Sequence, residues 1–66
     1  MNAAEKGERY ARIFRKAGVF LANGNLARAI EVLKQGQELA QQLGDQSMAR
    51  RFAEQIASAE KPPSET

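Results

Sequence analysis

Sixty-six residues make one domain at most, and a chain this short buries only about 60% of its unfolded surface. The absence of Cys and His excludes disulfides, thiolate or imidazole metal sites, and any Ser-His or Cys-His nucleophile. A net charge of +2, from ten basic and eight acidic residues, is too mild to dictate a nucleic-acid or membrane partner.

In chain order, the first stretch is "MNAAEKGERYARIF". It carries charges where a secretory signal needs an apolar core. No later apolar run approaches the roughly 18 residues of a membrane span. A soluble, cytoplasmic protein is the expectation. Twelve alanines, with many Gln, Glu, Arg and Leu, favour helix. Helix one is predicted from about Ala4 to Ala22. Tyr10, Ile13, Phe14, Ala17, Phe20 and Leu21 trace one helical stripe, and strand alternation fails. Glu5 with Arg9 and Glu8 with Arg12 are candidate ion pairs in the favourable order.

"NGN" then separates two apolar runs. Asn23 and Gly24 can leave helix one through positive φ, and Asn25 can cap helix two. Helix two is predicted from Leu26 to Leu43, with Leu26, Ala29, Ile30, Leu33, Gly36, Ala40 and Leu43 recurring at three and four. Gly36 costs a helix interior about 1 kcal/mol relative to Ala, so close contact with helix one or helix three is expected to offset it. Leu43-Gly44 reads as a stop, with Gly44 left-handed. Helix three is predicted from Gln46 or Ser47 to Glu60, capped by Asp45 or Ser47. Met48, Phe52 and Ile56 lie along one side, with Ala49, Ala53 and Ala59 beside them. The reading is an all-α, three-helix domain over 1–60 and a disordered polar tail over 61–66, opened by Pro62-Pro63.

Specific residues carry a resemblance. Ala17 is the small residue of the first helix, Phe20 its bulky late residue, and Gly24 marks the turn. Leu26 follows the turn, Ala29 and Ile30 come next, and Leu33 is the bulky position of the second helix. On these residues the segment from Glu8 to Leu43 resembles a tetratricopeptide repeat, a helix pair of about 34 residues. "QSMARRFAEQIASAE" then resembles the first helix of a following, incomplete repeat, which would act as a cap. The chain departs from the pattern at Lys16, where an apolar residue is usual, at Gly36, where Ala is usual, and in lacking the closing Pro. "LARAIEVLKQG" also looks like the second helix of three-helix domains that bind tails of membrane-remodelling filament subunits, whose third helix is longer.

The repeat resemblance implies an antiparallel helix-turn-helix with a ligand groove along one side of the first helix. Carried over, its positions are Ala11, Phe14, Gly18, Leu21 and Ala22. The peptide-clamp form of that groove holds a terminal carboxylate with Lys and Asn, and this surface has neither. Val19 is apolar on the far, basic side. These six are the candidate partner-binding residues. The bland alternative is that helix three folds back and buries them. Arg9, Arg12, Arg15 and Lys16 form a cationic face that could take an anion; the alternative is a solvated face partly neutralised by Glu5 and Glu8. No aromatic interleaves it. Arg50-Arg51 is a weaker anion candidate. Carboxylates are scattered, no Gly-rich phosphate loop occurs, and neither cofactor nor metal is expected.

The expected function is therefore a small, non-enzymatic protein–protein interaction module, an adaptor or accessory subunit, binding a partner or itself through apolar helix faces. The alternative is a binder of nucleic acid or another anionic surface through Arg9, Arg12, Arg15 and Lys16. A third possibility is a purely structural helical cap. Repeat arrays usually need about three repeats to stand alone, so one and a half imply help from a homodimer or a larger partner.

Overall fold

The computed structural model describes residues 1–61. Three helices follow one another: α1 (Ala3–Ala22), α2 (Leu26–Gln42) and α3 (Gln46–Glu60). No strand occurs among the described residues, and the fold is all-α. Each boundary falls within a residue of the expected one. The tail expected over 61–66 lies, beyond Lys61, outside the described residues.

The helix ends explain these limits. At the start of α1 the Asn2 side chain accepts the Glu5 N–H at 2.8 Å, and the Glu5 carboxylate accepts the Asn2 N–H at 3.1 Å. This reciprocal box satisfies two orphan donors. It also engages the Glu5 carboxylate at the helix start. Among the described residues the ion pairs are Lys6–Asp45 and Arg28–Glu31, so neither Glu5–Arg9 nor Glu8–Arg12 closes. Glu8 and Arg12 are exposed. There an ion pair gains at most about 1 kcal/mol against the entropy of two long side chains.

The two turns are built alike. Gly24 and Gly44 take φ of 75° and 72°. The N–H of Asn25 donates to Phe20 C=O at 2.8 Å, and that of Asp45 to Ala40 C=O at 2.8 Å. Gly24 donates to Leu21 and Gly44 to Gln41. This is the paired closure of a Schellman ending. The residue after each glycine then caps the next helix, Asn25 on the Arg28 N–H and Asp45 on the Met48 N–H. Asn23 keeps φ at −89°, contrary to expectation, because Gly24 alone makes the reversal.

α2 packs against both neighbours, while no Cα of α1 comes within 8 Å of a Cα of α3. The molecule is 16 Å across its thinnest direction, less than two helix diameters of about 10 Å, so the core is a single layer of side chains. Tyr10, Ala17, Ala29, Val32, Leu33, Ala40, Phe52 and Ile56 are buried. Val32 and the half-buried Leu39 were not among the expected core positions. They are recruited because α2 buries a stripe wide enough for two partners. Leu26 and Leu43, expected inside, are instead exposed, as is Leu21, which the first-helix stripe and the candidate partner-binding set share. They sit within a turn of a helix end, beyond the reach of a facing helix.

Phe52 joins the layer. It is fully buried, stacks on Phe14 with ring centroids 4.6 Å apart, and meets Tyr10 edge-on at 5.8 Å. Its ring lies over Gly36. A methyl group there would stand 2.9 Å from Phe52 Cδ1 and closer still to Cε1 and Cζ. Helix three, through Phe52, is thus the contact that offsets the glycine.

Candidate functional site

α1 has one side against α2, meets α3 through Tyr10 and Phe14, and is otherwise open. Its candidate residues divide by helical phase. Ala11, Phe14, Gly18, Leu21 and Ala22 share one stripe at steps of three and four. Ala11, Gly18, Leu21 and Ala22 are exposed, and Leu21 retains 45% of its surface. Phe14 is half-buried, its ring stacked on Phe52. α3 therefore folds back far enough to take up Phe14 but leaves the rest of the stripe open. Val19, with 59% of its surface accessible, lies on the other side of the helix among the cations. The structure brings five of the six candidates onto one stripe and sets Val19 apart. Leu26 adds a further exposed apolar side chain across the turn from Leu21.

Arg9, Arg12, Arg15 and Lys16 are all exposed, and none has an acid within 4.0 Å among the described residues. Arg9 and Arg12 do not stand alone, however. They line a shallow recess with Met1, Glu5 and Glu8. An anion entering it would meet two carboxylates beside two guanidinium groups. Arg50 and Arg51 are exposed on the first turns of α3. The anion position at that helix start is filled from within by the Asp45 carboxylate, which accepts the Met48 N–H.

Asp45 is also the centre of a polar cluster. Its Oδ2 accepts the Tyr10 hydroxyl at 3.1 Å and lies 3.3 Å from Lys6 Nζ, while its Oδ1 accepts Met48 N–H at 3.2 Å. The Met48 hydrogen bond, aided by Lys6 and Tyr10, holds the Asp45 carboxyl below its ordinary pKa of 3.8 against the opposing effect of desolvation. Burial, then the hydrogen bond and charge of Asp45, push Tyr10 above its ordinary 10.0. The capping role of Asp45 was readable from its place before a helix. Its bond to Tyr10, 35 residues away, had no local signal. The cluster pins α1 to the α2–α3 turn. Among the described residues, no three His, Cys, Asp or Glu side chains gather where they could hold a metal ion.

Fold and surface together define an all-α, three-helix protein with an open apolar stripe on its first helix. No helix among the described residues is long and apolar enough to cross a membrane. Against known proteins, the chain matches no family model, no curated protein and no solved structure.

Proposed function

We propose that the chain is a tetratricopeptide-like, non-enzymatic interaction module that binds protein, either a partner or itself, through the apolar stripe of α1. One observation carries the reading. After α3 has packed, Ala11, Gly18, Leu21 and Ala22 remain exposed, with Phe14 half-buried between them. A contiguous apolar patch left open on so small a chain is what an interface would present. The helix pair, the small buried Ala17 and Ala29, and the capping α3 support the repeat resemblance.

Binding of nucleic acid or an anionic surface through Arg9, Arg12, Arg15 and Lys16 is the weaker reading, because Glu5 and Glu8 share the recess with Arg9 and Arg12. Two measurements test the proposal together. The first is sedimentation from nanomolar to millimolar concentration. The second is capture of partners from the native cell by wild type and by Leu21→Glu. Self-association, or a captured protein lost with Leu21→Glu, is expected. A monomer throughout, with no capture sensitive to Leu21→Glu, sinks the reading. Retention on single-stranded RNA at low salt, falling steeply as salt rises, would favour the cationic face instead.

A further inference from the structure

We infer that the occupant of the open stripe is a second copy of this chain, its α1 laid antiparallel along the first. This rests on the proposed interaction role and names the partner.

Gly36 has its reason in Phe52, but Gly7 and Gly18 lie inside α1 with nothing within 4 Å of where a side chain would begin, and neither has a positive φ. Glycine disfavours a helix interior, and no contact among the described residues compensates. A close neighbour outside the chain would. Both glycines fall on one register: Ala4, Gly7, Ala11, Phe14, Gly18 and Leu21, spaced three, four, three, four, three. That is the seam of a two-helix coiled coil. Five of the six are exposed, and Phe14 is half-buried.

The seam complements itself only when reversed. Laid antiparallel so that Leu21 meets Ala4 of the second copy, it also sets Phe14 against Ala11 and Gly18 against Gly7. Every layer then pairs large with small or glycine with glycine, and the two glycine layers let the axes approach. A parallel pair would place Phe14 on Phe14 and Leu21 on Leu21, with empty layers between. Charge agrees. Beside the seam stand Glu8 and Arg15, the flanking residues of successive heptads, and neither is in an ion pair among the described residues. In the antiparallel arrangement Glu8 of each copy faces Arg15 of the other, giving two ion pairs about the dyad.

Sedimentation equilibrium of the full chain tests this, with circular dichroism as the control for folding. Wild type is expected to reach twice the chain mass at high concentration. Ala11→Glu, a change at an exposed position, should stay helical and dimerise at least roughly tenfold more weakly. E8R and R15E should each weaken the dimer alone, since each sets like charges face to face twice. An equimolar mixture of the two should recover the doubled mass, because the heterodimer has both pairs with opposite signs. A monomeric wild type at millimolar concentration overturns the inference but leaves the broader role standing if Leu21→Glu still loses a captured partner. A dimer indifferent to Ala11→Glu, or a mixture no tighter than its components, also overturns it by placing the contact elsewhere.

Discussion

Three glycines in helical positions show how one residue type serves different ends. Gly36 is where the Phe52 ring must lie, and Phe52 is the residue through which α1 and α3 meet. Replacing Gly36 by Ala gains about 1 kcal/mol of helix propensity. It also drives a methyl into a fully buried ring, and such overpacking costs about 1–3 kcal/mol. Because the ring is held by Phe14 and Tyr10 and cannot swing away, the clash should win. Gly36→Ala is expected to lower the urea midpoint. Gly7→Ala and Gly18→Ala, made in open space, should raise it at dilution, through a gain in stability of up to about 1 kcal/mol each. A stabilised Gly36→Ala would mean that the Phe52 ring does not sit where the packing places it.

Between elements, the Asp45 carboxylate ties α1 to the α2–α3 turn by two bonds, from Tyr10 and Lys6, while a third caps α3 at Met48. Its pH dependence follows from the two displaced groups. The Asp45 carboxyl has its pKa lowered by folding, so its contribution is present above the ordinary value of 3.8 and is lost as pH falls through the lower folded value. The Tyr10 phenol has its pKa raised, so its contribution is present below 10.0 and is lost as pH rises through the higher folded value. Melting temperature should be level between these limits and fall at both ends. Asp45→Asn keeps a capping oxygen but removes the charge, so it should flatten the acidic fall with a smaller loss at neutral pH than Asp45→Ala, which removes the cap as well. An acidic limb unchanged in Asp45→Asn would assign it to other carboxylates. This cluster marks where the sequence stops being legible. Helix limits, the two glycine turns and the caps were readable because each is decided within a few residues. The contact offsetting Gly36 was readable as a need, without its donor. Tyr10 with Asp45, Val32 in the core, and the exposure of Leu26 and Leu43 depend on where a distant helix lies. No local pattern encodes that. The stripe of Ala11, Phe14, Gly18, Leu21 and Ala22 was found from the repeat resemblance, but how much of it α3 would cover depended on Phe52 choosing Phe14.

For the whole molecule the question is margin. Native domains hold about 0.05–0.15 kcal/mol per residue, which leaves a chain of this length about 3–10 kcal/mol. Its core is one layer thick and partly spent on alanines. A binding partner that recognises only the folded form adds to this by mass action, about 2.7 kcal/mol at a hundredfold excess over the dissociation constant. For domains of roughly 60 residues each kcal/mol moves the midpoint by about 4–8 °C. If α1 pairs with a second copy, the melting temperature should therefore climb by about 10 °C or more between a dilute sample and one well above the dissociation constant. Ala11→Glu should match the dilute value and shift the rise to concentrations at least roughly tenfold higher, since the exposed Ala11 has no role in the core of the single chain. Added salt gives a second axis. Two exposed ion pairs between Glu8 and Arg15 are screened within a Debye length of about 8 Å at physiological ionic strength, whereas the apolar layers are not. Raising salt should then weaken the association only mildly while leaving its concentration dependence in place. A midpoint independent of concentration in wild type would mean that the single layer of side chains is sufficient by itself, and that the open stripe adds nothing to the stability of the fold.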